Sequence, residues 1–118
     1  MSEEGADVRR GDIVIVELDP TRGHEMRKTR PGVVVQNDVG NRNASTTVVA
    51  PATTTHRGYP FEVLVPAAGS DFEQDSSVRV DQLRTVDIAE RIRSVVGRLS
   101  ASVMRDVDDA LRIELALD

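Results

Sequence analysis

Arg30 is followed by a proline, and that pair is the sharpest chemical signal in the sequence. An arginine at the mouth of a β-strand, fixed by the proline after it, offers a rigid fork of donors suited to reading a phosphate. It closes a polar stretch, residues 20–30, that holds four of the fifteen basic residues and includes His24, Glu25, Arg27 and Lys28. A second polar stretch, residues 53–58, opens with three hydroxyls, Thr53, Thr54 and Thr55, which can bind a phosphate oxygen or cap a turn. Residue type and spacing leave a plainer reading open at each place. Arg30 can equally be a surface arginine ending a loop, and His24 and Glu25 solvated loop residues.

Other chemistries find little footing. There is no Gly-rich phosphate loop and no His-x-x-x-His cluster, and the two histidines, His24 and His56, lie in separate polar stretches. No serine stands in a nucleophile elbow, and no carboxylates are spaced as an acid–base dyad. With no cysteine, disulfides, thiolate metal sites and thiol nucleophiles are excluded. A metal-dependent or covalent hydrolase is therefore disfavoured, and neither a metal nor a cofactor is expected. The longest apolar runs are four or five residues, such as Ile13 to Val16, far short of the roughly 20 that span a bilayer. The acidic start, Met1 to Asp7, is the opposite of a secretory signal. These features point to a soluble, cytoplasmic protein with no membrane partner.

Charge does not decide function. The net charge is −5, with one lysine against fourteen arginines, whereas phosphate-binding domains are usually basic. Overall charge says little about a local site. The arginine bias and spread of acid also suit a high-GC genome or a high-salt cytoplasm, where screening shifts recognition towards hydrogen bonds and stacking.

The elements that must position these residues follow from pattern. A chain of 118 residues supports one domain. Residues 1–10 read as a flexible lead-in, and residues 11–118 as the domain. Ile13 to Leu18 is a strand rich in β-branched residues, ended by Asp19-Pro20. Val33 to Val35 opens a second strand, closed by a turn over Asn37 to Asn41. A third strand covers about Thr46 to Ala50 and ends at Pro51. Phe61, Val63 and Val65 alternate with Glu62 and Leu64, as in a half-buried strand. Val78 and Val80 alternate with Arg79 and Asp81 in another, Asp81 to Asp87 reads as a brief turn, and Ile92 to Leu99 is a last strand. A helix then spans about 100–116, with Ser100 as N-cap, Leu99 and Met104 placed as a hydrophobic staple, and Met104, Val107, Leu111 and Leu115 as its core stripe. Short strands followed by one helix suggest a small, partly open barrel. The first strand is apolar on both faces, Val14, Val16 and Leu18 on one and Ile13 and Ile15 on the other. A homodimer would cover the outer face, though a loop or the helix could do so instead.

The sequence also resembles a known family. Arg10-Gly11-Asp12-Ile13-Val14, Leu18 to Glu25 and Arg30 to Asp38 look like the opening of MazF/PemK toxins. Pro51 to Thr54 with Gly58 to Val63, then Asp81 to Asp87, then Gly97-Arg98-Leu99-Ser100 with its helix, are similar to later parts of the same family in the same order. The resemblance covers about residues 9–117. It implies a mainly β, SH3-like barrel of the CcdB/PemK type with a C-terminal helix, a homodimer, and a groove that binds single-stranded RNA. It implies a MazE-like antitoxin partner, with DNA contacted only through that antitoxin. The implied reaction is sequence-specific, metal-independent cleavage of RNA, with mRNA as the expected target. The ribose 2′-hydroxyl attacks phosphorus and leaves 2′,3′-cyclic phosphate and 5′-hydroxyl ends.

The family's catalytic arginine matches Arg30 and its catalytic threonine Thr53; Glu25 matches an acidic loop position associated with activity. His24 stands where many relatives have serine, and it offers either a contact to RNA or a proton-transfer group. Arg27 and Lys28 sit in the loop that gates the groove, and Thr54, Thr55 and Gln82 are further expected RNA contacts. The alternatives are a CcdB-like gyrase poison, which lacks the arginine–threonine pair, and an inactive binding module of the same fold.

Overall fold

β-Branched residues and turn formers set out the strands of the computed structural model, which describes residues 7–18 and 29–118. The strands are β1 (Asp12–Glu17), β2 (Thr29–Val34), β3 (Thr46–Thr53), β4 (Glu62–Val65), β5 (Ser76–Arg79), β6 (Arg84–Asp87) and β7 (Ile92–Arg98). The helices are α1 (Asp38–Asn43), α2 (Ile88–Arg91) and α3 (Ala101–Glu114), and a 3₁₀ turn covers Val80–Gln82. One antiparallel sheet runs β4-β5-β3-β2-β1-β7, with β6 also paired to β3. β3 thus has three partners: β6 along its first half, β2 through its middle and β5 at its end. That sharing bends the sheet into the partly open barrel the strand pattern suggests. No described helix is long and apolar enough to cross a membrane.

Period-2 alternation explains why the chain builds two cores. Ile13, Val33, Ala50, Ala52 and Val78 pack on one face with Phe72, Leu99 and the α3 residues Val107 and Ala110. Val14, Val16, Val34 and Val49 pack on the other with Val8, Val86, Ile88 and Ile92. Both faces of β1 are thus largely covered within one chain, Val8 coming from the expected lead-in and the rest from β6, α2 and β7. Covering those valines does not require a second copy. Burying one such side chain is worth about 1.5–3 kcal/mol, which explains why Val8 docks.

Polar ties hold the start of the domain. Arg10 donates from Nη2 to Asp108 at 2.7 Å, from Nε to the Val35 carbonyl at 2.8 Å, and from its backbone N–H to Asp38 at 2.7 Å. That last bond, with one from Asn41, holds the Asp38 carboxyl below the ordinary range. Gly11 turns the chain into β1 at φ +95°, a conformation glycine adopts without steric cost.

Several boundaries differ from the pattern reading. β2 starts at Thr29, so Arg30 and Pro31 lie inside a strand rather than at its mouth. Pro31 is tolerated because the β2–β3 ladder begins only at Gly32, leaving Pro31 with one neighbouring strand. β3 likewise runs through Pro51 to Thr53, because its last two residues find a new partner in β5. The expected turn over 37–41 is the start of α1, with Asn37 Oδ1 accepting from the Gly40 N–H at 2.8 Å. The stretch 81–87 is half 3₁₀ turn and half β6, since pairing with β3 extends it. α3 is capped by Ser100 as its sequence requires, accepting from the Val103 N–H at 3.2 Å. Leu115, expected in the core stripe, is 52% exposed because α3 ends at Glu114.

Candidate active site

Sheet register brings Arg30 and Thr53 together. The last pair of the β2–β3 ladder is Gly32 with Pro51, and these partners face the same side of the sheet. Arg30 lies two residues before Gly32 and Thr53 two residues after Pro51, so each shares that side and that end of the sheet. Thr53 is in turn the register partner of Ser77 on β5. Cβ atoms of directly opposed residues are about 4.5–5.5 Å apart. Arg30, Thr53 and Ser77 therefore form one row across three neighbouring strands, on the face opposite α3. Arg30 is half-buried and pairs through its backbone with Val16, while its side chain makes no hydrogen bond or ion pair with any described residue. Thr53 Oγ1 accepts from the Thr55 N–H at 3.3 Å and keeps its own hydroxyl hydrogen to donate.

The other expected site residues are distributed around this row. Thr54 lines a cavity of about 450 Å³ with Ile15, Pro31, Phe72 and Val96, on the opposite face from Arg30. Thr55 is exposed. Gln82 ends the 3₁₀ turn, exposed, with its amide 3.4 Å from Asp81 Oδ2. Glu25, His24, Arg27 and Lys28 lie outside the described residues.

Two further groups lie beside the row. Glu62 is fully buried in its side chain, although the alternation of β4 marks it as an outward residue. Its Oε2 accepts from the backbone N–H groups of Arg57 and Tyr59, both at 3.0 Å, and its Oε1 accepts from Ser77 Oγ at 2.7 Å. Burial pushes the Glu62 pKa up, but these three donors and the nearby His56 outweigh it and hold the carboxyl below its ordinary value. His56 completes the cluster, with Nδ1 3.0 Å from Ser77 Oγ and 3.6 Å from Glu62 Oε1. The polar stretch after β3 is therefore pinned to the sheet by a buried carboxylate.

The second group is Arg79, which donates to both oxygens of Asp81 at 2.8 and 2.7 Å. That pair raises the Arg79 pKa and lowers that of Asp81. The Arg79 guanidinium lies 5.8 Å from the centre of the Phe61 ring, and Phe61 stacks on Tyr59 with centroids 4.9 Å apart. Opposite charges two apart on an alternating strand are a readable signal for such a pair. No comparable signal exists for Glu62, Ser77 and His56, which pairing of β4 and β5 brings together from three places in the sequence.

The chain is thus a small, bent antiparallel sheet closed by a C-terminal helix, with Arg30 and Thr53 on one side and at one end of the sheet. The chain belongs to the PemK-like, MazF-like toxins of type II toxin–antitoxin systems, whose family profile matches residues 9–115. It is 37% identical over 116 residues to Endoribonuclease MazF9 of Mycobacterium tuberculosis (strain ATCC 25618 / H37Rv), covering 93% of this chain and 98% of that protein. It is 38% identical over 112 residues to Endoribonuclease EndoA of Bacillus subtilis (strain 168), covering 93% and 96%. Among solved structures, a MazE-MazF crystal structure (Form-II) from Deinococcus radiodurans superposes with a TM-score of 0.77 at 25% identity, covering 96% of this chain and 99% of that one.

Proposed function

We propose that this protein cuts single-stranded RNA at a short specific sequence, without a metal, by making the ribose 2′-hydroxyl attack the adjacent phosphorus. Its class, a toxin endoribonuclease, follows from its family and from two relatives of that activity aligned over almost its whole length. The observation that carries the mechanism is the Arg30 guanidinium, unpaired among the described residues, on the same side and end of the sheet as Thr53. Attack by the 2′-oxygen builds extra negative charge on the non-bridging oxygens of a phosphorane. A guanidinium already in place stabilises that charge, and the Thr53 hydroxyl donates to one of those oxygens. The 5′-oxygen then leaves, giving a 2′,3′-cyclic phosphate and a 5′-hydroxyl. The substrate brings its own nucleophile, so the site needs neither a protein nucleophile nor a Lewis acid, and DNA, lacking the 2′-hydroxyl, is not cut.

In this reading Glu25 orients Arg30 or contacts the ribose, while His24, Arg27, Lys28, Thr54, Thr55 and Gln82 contact the RNA. Tyr59, 45% exposed on its Phe61 partner, offers a stacking surface for a base. mRNA is the physiological substrate and the cytoplasm the place of action. The working form is a homodimer, and a MazE-like antitoxin occupies the RNA groove and brings the toxin to DNA. The family and the MazE-MazF relative support that partner. A gyrase poison of the same barrel class has no use for the Arg30–Thr53 pair and is not favoured.

Replacing Arg30 tests the assignment. Arg30→Ala lowers cleavage of a long RNA by at least about 10²–10³-fold, as loss of a donor to a developing oxyanion does elsewhere. The variant keeps its circular dichroism spectrum, because the Arg30 side chain makes no bond to any described residue and its backbone pairing is unchanged. Cleavage near the wild-type rate would overturn the assignment.

A further inference from the structure

We propose that His56 is the general base that takes the 2′-hydroxyl proton, with Glu62 and Ser77 setting its tautomer. The inference rests on the ribonuclease reading above and supplies what that reading lacks. An arginine stays protonated at neutral pH and is a poor base there, and Thr53 is only a donor to the phosphorane.

The direction of the hydrogen bonds carries the argument. Glu62 is held as a carboxylate and can only accept, so Ser77 must donate its hydroxyl hydrogen to Oε1. With that hydrogen committed, the Ser77 oxygen can only accept from His56. Nδ1 therefore carries the proton in the neutral ring, and Nε2 presents a lone pair. Nε2 makes no hydrogen bond with any described residue, and the side chain is 30% exposed. Ser77 is the register partner of Thr53, so this imidazole is tethered directly beside the proposed phosphate site.

The proton inventory balances. As the 2′-oxygen bonds to phosphorus, its proton passes to Nε2 and the bond from phosphorus to the 5′-oxygen breaks. The 5′-oxygen takes a proton from water, and His56 returns its proton to solvent before the next turnover. The imidazolium formed in between has the Glu62 carboxylate 3.6 Å from Nδ1 to balance its charge. A buried carboxylate fixing the tautomer of a catalytic histidine is the logic of the serine-protease triad, here extended through one hydroxyl. The groups facing the ring are Glu62 from β4 and Ser77 from β5. Arg57 and Tyr59 lie on its own loop, and Arg79 interacts electrostatically with Glu62.

Two variants separate catalysis from positioning. His56→Asn keeps a donor to Ser77 Oγ but has no base. Glu62→Gln keeps a bond to Ser77, but its amide donates, so Ser77 turns its hydrogen towards Nδ1 and the proton moves to Nε2. We expect wild-type kcat/KM to rise with pH as the general base loses its proton. Both variants should lose about 10²–10⁴-fold and that rise together, with thermal melts showing a folded protein. Full activity in His56→Asn, or reduced activity with the pH rise intact, would overturn the proposal. If wild-type protein cuts RNA but does not leave 5′-hydroxyl and cyclic phosphate ends, the parent reading fails and His56 with it. If wild type leaves those ends and the variants behave like it, only the role of His56 fails.

Discussion

Arg30 and Glu62 are both charged residues at the same end of the sheet, yet their surroundings give them opposite tasks. The Arg30 side chain makes no bond to any described residue, which leaves its donors for the proposed phosphate role. Glu62 is saturated by Ser77, Arg57 and Tyr59, so it serves the loop that carries His56. Its depressed pKa is also a statement about stability. A carboxyl whose folded pKa lies below its unfolded value of about 4.3 contributes stability that is fully present above that value. The contribution is lost as pH falls through the lower folded pKa. The gap in stability between wild type and Glu62→Gln should therefore be widest near neutrality and shrink as pH drops below about 4.3. Urea titrations at a series of pH values check this, and a gap that grows on acidification would contradict it. Arg30 and Thr53 were legible in the sequence, though only the family resemblance turned two polar residues into a pair. Glu62 was not legible, because one glutamate alternating with apolar residues reads as the wet side of a strand. Its burial depends on donors from a loop and from β5.

Among the elements, β7 and its approach to α3 show how a glycine can be fixed by its neighbours. A Cβ built on Gly97 would stand 2.3 Å from the Asp71 side chain, whose Oδ2 accepts from the Arg98 N–H at 2.9 Å. Arg98 also reaches across to Asp12 at 2.7 Å, tying β7 to the start of β1. Gly97→Ala must push the segment around Asp71 away and break that bond. Overpacking of this kind costs about 1–3 kcal/mol, to be read from the denaturation midpoint, whereas an unchanged midpoint would contradict this packing. Element type was largely readable: β1, β7, the cap at Ser100 and the helical stripe through Met104, Val107 and Leu111 follow from period and turn residues. Boundaries at prolines were not. Pro31 and Pro51 read as strand ends, whereas β3 changes partners at that point and both prolines sit within strands. α2 and β6 were missed for a related reason, since each is short and defined by pairing or capping rather than by its own periodicity.

At the scale of the molecule, an acidic protein handles a polyanion by placing its positive charge locally. The net charge is −5, yet Arg30 and Arg79 stand at the same end of the sheet, Arg79 already neutralised by Asp81. Arg30 is the group proposed to read the phosphate. Apolar residues on both faces of β1 suggested a second copy as a cover. Two cores within one chain account for Ile13, Val14 and Val16 instead, while Val95 and Val96 of β7 stay 42% and 47% exposed. The central claim is a metal-free transesterification directed by Arg30. Its most direct test is to incubate the purified protein with a long RNA in excess EDTA and map the ends of the fragments. The account predicts discrete cuts with 5′-hydroxyl and 2′,3′-cyclic phosphate ends, absent with Arg30→Ala. Cuts that need a divalent cation, or that leave 5′-phosphates, would contradict it.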